Sequence, residues 1–322
     1  GLGFDRCSVG VVTNIREDHI GLNGVEDMED LFWIKSLVLE TTEEGGHCVI
    51  NGNDDFAERL IERANGQIVL FSMEKNTLID KNISAGVPVF VLEGEELFAY
   101  IDGEPQRLAH VSEIPFLAGT VSMMVENTLA ALATAYSSGF PLEKAVEALK
   151  TFETNEEMCP GRLNLYDVNG VKVLFDYAHN QDALVGLANY VKGLKAKKTK
   201  FIYMGLGDRS DVSMIKNGFE AGKHFDELIF SEKEDQLRGR ESGVISSLLK
   251  IGAGKAGKEA EIILQHREAL DHVLENSSEG DMVICANLDY TSEDLKQYIM
   301  KTEKEEEYVE EIKALGAVET AT

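Results

Sequence analysis

Cys159-Pro160-Gly161-Arg162-Leu163-Asn164-Leu165, followed by Val171-Lys172-Val173-Leu174-Phe175 and then Asp176-Tyr177-Ala178-His179-Asn180, is the stretch on which the fold turns. The apolar run ending at Phe175 reads as a buried strand. The polar residues after it open into a helix N-terminus at Asp182-Ala183-Leu184. An arginine, a carboxylate, a histidine and an amide therefore flank one strand on two short turns. In open α/β sheets, ligands settle outside the carboxyl ends of the strands. Arg162 carries a planar, permanent positive fork suited to phosphate oxygens, and Asp176 accepts from sugar hydroxyls or joins a metal shell. Singly, these residues read as a surface arginine and a helix cap at Asp182. Together they point to an anionic, hydroxyl-bearing ligand such as a nucleotide.

Downstream the pattern repeats. Strands are expected at Val171 to Phe175, Lys200 to Met204, Glu227 to Ser231, Glu261 to Leu264 and Met282 to Ala286. Helical stretches fall between them at Ala183 to Leu194, Asp211 to His224, Gly243 to Ile251 and Arg267 to Asn276. Such alternation implies a doubly wound parallel sheet. Two charged loops follow strands of this sheet: Gly207-Asp208-Arg209, and the run containing Glu234, Asp235, Arg238 and Arg240. Read alone, the first could equally be a salt-bridged loop pair and the second a solvated charge cluster. Gly205-Leu206-Gly207 hints only weakly at a dinucleotide-binding turn, because no third glycine follows at the required spacing. The Glu- and Lys-rich tail from Thr302 to Ile312 reads as an exposed helix, and Gly316 to Thr322 as disordered.

Upstream, Ser8 to Ile15 reads as a strand ending in the polar cluster Arg16-Glu17-Asp18-His19. Val25 to Glu40 has helical apolar spacing, with Met28, Leu31, Phe32, Ile34, Leu37 and Val38. His47 to Asn51 is a short strand, and Asp54 or Asp55 caps a helix from Phe56 to Ala64. Residues 67 to 117 alternate short β-like runs with Gly-rich turns and read as an antiparallel appendage. Met123 to Tyr136 and Leu142 to Phe152 read as two packed helices.

Composition bounds the function class. With 322 residues the chain is long enough for two domains with real cores. Its net charge of -26 opposes nucleic-acid backbones and anionic membrane surfaces as partners. No apolar run is long enough to span a membrane and no signal-peptide pattern is present. Cys7, Cys48, Cys159 and Cys285 show no Cys-x-x-Cys spacing and read as reduced thiols, so a cytoplasmic location is expected.

Pro160-Gly161-Arg162, a strand, and Asp176-Tyr177-Ala178-His179-Asn180 together resemble the opening of the C-terminal domain of the Mur ligase superfamily, whose members are ATP-dependent amide-bond ligases. Within it, Pro160 to Leu165, Glu234-Asp235-Gln236-Leu237-Arg238-Gly239-Arg240 and Gly1-Leu2-Gly3-Phe4-Asp5-Arg6-Cys7 are most similar to the cyanophycin synthetases. The resemblance covers nearly the whole chain and weakens after about Asp289. It implies an α/β chain in which residues 1–157 are the remainder of a P-loop-type central ligase domain and residues 158–322 a Rossmann-like C-terminal domain.

No Gly-x-x-x-x-Gly-Lys-[Ser/Thr] phosphate loop occurs in these residues. The superfamily places that loop upstream of the strand at Ser8. Gly1 is not Met, so the chain is expected to be the C-terminal part of a longer protein and, alone, inactive as a ligase. In the cyanophycin synthetases an ATP-grasp domain would lie further upstream.

Residue roles carry over from the resemblance position by position. Thr13-Asn14-Ile15 through Asp18-His19 is similar to the pattern whose histidine helps hold magnesium, and Lys35 matches the lysine that is carbamylated in many members. Its spacing from His19 is longer than in the muramyl ligases. Asn51-Gly52-Asn53-Asp54 resembles a motif at the adenine-nucleotide site, and a turn capping the next helix is an equal reading of it. Asn127 falls on a position near the nucleotide, with a buried helix-packing role as the competing view. Arg162, Asp176, His179 and Asn180 are implied at the nucleotide, and Asp208, Arg209, Glu234, Asp235, Arg238 and Arg240 at the incoming amino acid. The implied cofactors are ATP and Mg2+. The implied chemistry joins arginine to aspartate side-chain carboxylates of an acidic peptide, in a full-length protein that is a homo-oligomer. A muramyl-peptide or folylpolyglutamate ligase, a non-catalytic module that retains the fold, and a nicotinamide-dependent oxidoreductase are the alternatives.

Overall fold

The computed structural model describes residues 3–17, 20, 24–117, 122–288 and 290–299. It divides into two compact units, Gly1–Phe152 and Glu153–Thr322.

The first unit runs β1 (Cys7–Val12), α1 (Met28–Glu40), β2 (Thr42–Asn51), α2 (Ala57–Arg63), β3 (Gln67–Ser72), α3 (Thr77–Ser84), β4 (Val89–Glu93), β5 (Glu96–Ile101), β6 (Glu104–His110), α4 (Ser122–Ser137) and α5 (Leu142–Leu149). The sheet keeps sequence order from β1 to β6; β1 to β4 are parallel, and β5 and β6 add antiparallel to the edge. Strand alternation sends Cys48, Ile50 and Leu70 against Leu31, Phe32, Leu60 and Ile79 of α1 to α3. Val49, Val69 and Phe71 face the other way, against Leu129, Leu132 and Val146 of α4 and α5. A sheet buried on both faces is what parallel strands with helical crossovers require.

The expected antiparallel appendage over 67 to 117 is therefore corrected. β3 and β4 belong to the parallel sheet and are joined by α3, whose N-cap Asn76 accepts from the Ile79 amide at 3.0 Å. Among these strands only the β4–β5 and β5–β6 pairings are antiparallel. α1 starts three residues later than its apolar spacing suggests, because Asp27 accepts from the Glu29 and Asp30 amides at 2.9 and 3.0 Å. Ile34 and Leu37, counted above on its apolar face, are 47% and 37% exposed.

The second unit runs β7 (Asn164–Val168), β8 (Val171–Asp176), α6 (Gln181–Gly193), β9 (Thr199–Met204), α7 (Asp211–His224), β10 (Glu227–Glu232), α8 (Val244–Lys255), β11 (Glu261–Gln265), α9 (His266–Glu275), β12 (Met282–Ala286) and α10 (Ser292–Ile299). Strand order is β11-β10-β9-β12-β8-β7, parallel throughout except for β7. The expected strands and helices are found with ends shifted by a few residues. β12 inserts between β8 and β9, so the chain changes winding direction there, and the crevice outside those strand ends is where such sheets bind ligands. β7 was not expected. It pairs with β8 across Asn169-Gly170, both at positive φ of 54° and 79°, the two-residue hairpin that an Asn-Gly step favours. α7 and α8 touch backbone to backbone: a Cβ on Gly218 would stand 2.0 Å from the Leu249 carbonyl oxygen. Among the described residues no helix is long and apolar enough to cross a membrane. The tail from Thr302 to Ile312 and Gly316 to Thr322 lie outside the described residues.

Candidate functional site

At the carboxyl end of β8 the backbone around Arg162 is held in a particular shape. Gly161 and Leu163 both have positive φ, 68° and 51°, and a bulky residue such as Leu adopts that region only when its surroundings impose it. The imposing groups are visible. Asp176 Oδ2 accepts from the Leu163 amide at 3.1 Å and Oδ1 from the Ala178 amide at 2.8 Å. Burial pushes the Asp176 carboxyl above its ordinary range, against the Leu163 amide, the Arg162 charge, the Ala178 amide and the His179 charge, which pull it down. Asn164 accepts from the Gly161 amide at 2.7 Å. Its Nδ2 donates to the carbonyls of Thr154, Cys159 and Arg162 at 3.0, 3.0 and 3.1 Å.

Arg162 itself is exposed, with its guanidinium carbon 4.9 Å from the centre of the Tyr177 ring. His179 meets the same ring edge-on at 5.4 Å, and its Nδ1 lies 3.0 Å from the Tyr177 carbonyl. The His179 carbonyl takes donors from Tyr203 and Asn217 at 3.2 and 3.3 Å, which ties this loop to β9 and α7. Asn180, rather than Asp182, caps α6, accepting from the Ala183 amide at 2.9 Å. Arg162, Asp176, His179 and Asn180 thus share one strand end.

The loops after β9 and β10 interlock. Gly207 donates to the Gln236 carbonyl at 2.9 Å, and a Cβ at Gly207 would fall 1.8 Å from the Leu237 carbonyl oxygen. Arg240 donates through Nε to the Gly207 carbonyl at 2.7 Å, through Nη2 to the Arg209 carbonyl at 2.6 Å, and pairs with Asp211 at 2.6 Å. Asp208 pairs with its neighbour Arg209 at 3.1 Å and with Arg238. Asp208, Arg209, Arg238 and Arg240 therefore stiffen one two-loop platform, and the salt-bridged reading of Asp208 and Arg209 holds for their side chains. Glu234 and Asp235 remain exposed on it, the latter 3.6 Å from Lys233.

In the first unit, the ends of β1 and β2 are stitched by amide and carboxylate groups. Asn51 is fully buried; its Nδ2 donates to the Thr13 carbonyl at 2.9 Å and to Glu126 Oε1 at 2.6 Å, while its Oδ1 accepts from Asn53. Asp54 Oδ2 accepts from the Ile15 amide at 2.8 Å and Arg16 at 3.3 Å, and its Oδ1 from the Phe56 amide at 2.9 Å. α2 has Phe56 as its N-cap and no side-chain cap, so the expected capping by Asp54 or Asp55 is corrected: Asp54 instead braces the end of β1 and the Phe56 amide. Lys35 Nζ reaches the Asn14 carbonyl at 3.5 Å. Asn127 is exposed on α4, which overturns its buried packing role. His19 and Asp18 lie outside the described residues.

Three residues not singled out by sequence reasoning do much of the holding. Asn164 sits inside the quoted stretch, and Glu126 adjoins Asn127. Asn287, at positive φ of 59°, donates from its backbone to the Asp176 carbonyl and from Nδ2 to the Met204 carbonyl, both at 2.9 Å, joining three strand ends at the winding switch. An Asn directly after an apolar strand is a legible signal for that backbone region.

The two units correspond to two known domains. Residues 3–135 match the Mur ligase middle domain and residues 161–286 the Mur ligase, glutamate ligase domain. The chain belongs to the Mur ligase superfamily. A cyanophycin synthetase of Geminocystis herdmanii is 30% identical over 288 residues, 88% of this chain and 33% of that protein. A UDP-N-acetylmuramoyl-L-alanyl-D-glutamate--2,6-diaminopimelate ligase of Caldanaerobacter subterraneus is 25% identical over 285 residues, covering 88% of this chain and 55% of that one. The structure of E. coli FolC in complex with ADP shares the fold, with a TM-score of 0.64 at 16% identity over 92% of this chain and 62% of that chain. The chain spans about a third of the length of the cyanophycin synthetases it matches.

Proposed function

We propose that these residues form part of an ATP-dependent amide-bond ligase, of cyanophycin synthetase type, that joins arginine through its α-amine to aspartate side-chain carboxylates of an acidic peptide. The observation that carries this reading is the exposed Arg162 guanidinium, standing on a turn that Asp176 and Asn164 hold at a β8 end of a Mur ligase C-terminal domain. In the reaction, an acceptor carboxylate oxygen bonds to the γ-phosphorus of ATP and ADP leaves. The amine nitrogen then bonds to the acyl carbon, gives up its proton, and phosphate departs. Such chemistry needs alignment and charge neutralisation more than a protein nucleophile.

Arg162 offers its fork to phosphate oxygens. Asp176 holds the Arg162 turn, since each of its oxygens already accepts a backbone N–H. Asn14, Asn51, Asp54 and Asn127 place the nucleotide side of the first unit, with Glu126 fixing α4 to the end of β2. Glu234 and Asp235, exposed beside the stiffened platform, supply negative charge for an incoming guanidinium. Oxygen donors suit magnesium, and the Asn14 carbonyl after β1 and the Glu126 carboxylate, which α4 brings to the β2 end, are of that kind. His19 and a carbamylated Lys35 would hold the ion, which supplies charge neutralisation at the phosphates.

The test is to supply the full-length polypeptide containing these residues with ATP, Mg2+, arginine and an aspartate-rich peptide. Arginine-dependent release of ADP and phosphate with a new amide is expected, and Arg162→Ala should lower kcat/KM by about 100-fold. ATP turnover that ignores arginine and the peptide but responds to folate or muramyl-peptide acceptors would reassign the substrate. Absence of any amide product would refute the reading.

A further inference from the structure

We propose that Asn164 is a positioning residue for Arg162, fixing its turn before any ligand arrives; the inference rests on the nucleotide-binding reading of Arg162 given above. Asn164 is 2% exposed and sits at the start of β7, yet its side chain serves the turn behind it. An amide has two hydrogens and one carbonyl oxygen. All three are engaged: Oδ1 by the Gly161 amide at 2.7 Å, and Nδ2 by the carbonyls of Thr154, Cys159 and Arg162, with one hydrogen shared. These partners lie on both sides of Pro160, so the side chain fills the centre of the loop as a plug.

The turn needs such a plug. Gly161 and Leu163 on either side of Arg162 both occupy the left-handed region, at φ of 68° and 51°. Left to itself the chain would relax out of that shape, and Arg162 would swing with it. Asp176 pins the downstream side through the Leu163 amide, and Asn164 pins the upstream side through Gly161 and the Arg162 carbonyl. An aspartate in place of Asn164 would keep the acceptor for Gly161 and turn the donor into a second acceptor facing three carbonyls. That makes the choice of amide over carboxylate at this position a matter of hydrogen-bond polarity, not of size.

The experiment is a double-mutant cycle in the full-length polypeptide, reading KM for MgATP and kcat. Asn164→Ala and Asn164→Asp should each raise KM for MgATP by about tenfold, because ordering of the arginine is then transferred to the binding step. In an Arg162→Ala background the same substitutions should change KM by less than about twofold, since nothing remains to be positioned. Equal fold-changes in both backgrounds would show that Asn164 acts elsewhere and would overturn the proposal. If Arg162→Ala alone left KM and kcat unchanged, the reading of Arg162 itself would fall instead. Should the Asn164 variants fail to fold, hydrogen exchange of the unmodified, ligand-free protein decides. Slow exchange at the Gly161 and Leu163 amides is expected, and exchange at the rate of an open loop would overturn a preformed turn.

Discussion

Replacing Asp176 with alanine removes one buried carboxylate and strands two backbone donors. The Leu163 and Ala178 amides lose acceptors at 3.1 and 2.8 Å in a place that water does not reach. A buried donor left unmet costs ~1–3 kcal/mol, so with two of them the second unit should lose roughly 2–6 kcal/mol. Asp176→Asn should cost less, because the amide oxygen still accepts from one of the two amides and no buried charge has to be formed. Neither variant titrates at this position, so both differ from the wild type in pH dependence. Burial raises the Asp176 carboxyl above the 3.8 of a free aspartate, so the folded protein binds a proton that the unfolded chain has already released. Its contribution is therefore fully present below 3.8 and is lost as pH rises through the higher folded value. Elsewhere in the second unit Glu156, Glu220, Asp226 and Glu227 are shifted downward and act with the opposite sign. The wild-type minus Asp176→Asn difference isolates the Asp176 component. Hydrogen exchange of peptides from β8 and β12, compared with those from β2 and β3, measures it. A loss below about 1 kcal/mol in the alanine variant would refute the brace assigned to this carboxylate.

Gly207→Ala should force the two charged loops apart, since the new Cβ would lie 1.8 Å from a backbone oxygen that cannot yield locally. A cost of about 1–3 kcal/mol in thermal unfolding and a raised KM for the amino acid, with KM for ATP unchanged, are expected. Asn51→Ala leaves the Thr13 carbonyl and the Glu126 carboxylate without their donor and should destabilise the first unit by ~2–4 kcal/mol in denaturant titration. Glu113 is held down to about 2 by the His110 amide, then by Arg107 and Lys150. Carbon-detected NMR should find its carboxyl ionised until pH falls through about 2, where its favourable contribution disappears; a midpoint near the ordinary 4.5 would contradict the geometry.

Much of the second unit was legible because strands buried on both faces write long apolar runs, as in Lys200 to Met204 and Met282 to Ala286. β7 was not, because Asn164 to Val168 at the sheet edge mixes polar and apolar residues, although Asn169-Gly170 announced its hairpin. In the first unit the Gly-rich spacing of 67 to 117 masked α3, a helix of only eight residues whose cap, Asn76, looks like a turn residue. For the candidate site, the charged residues were visible and the residues that hold them were not. Arg162 and Asp176 announce themselves by charge. The hydrogen bonds of Glu126 and Asn287 connect positions 75 and 83 apart, and no local pattern encodes such closures; those of Asn164 stay within ten residues, but which carbonyls it meets is set by the folded turn. Arg240 shows the converse: the resemblance implied a place at the incoming amino acid, and its three donor groups brace the loop through Gly207, Asp211 and Arg209.

In the proposed reaction the γ-phosphoryl group of ATP is transferred to the acceptor carboxylate before the amine attacks. Labelling the side-chain carboxylates of an aspartate-rich peptide with oxygen-18 and recovering the released phosphate tests it directly in the full-length polypeptide. Activation as an acyl phosphate predicts one labelled oxygen in each phosphate formed, dependent on arginine for turnover. Phosphate free of label, or AMP as the nucleotide product, would contradict it.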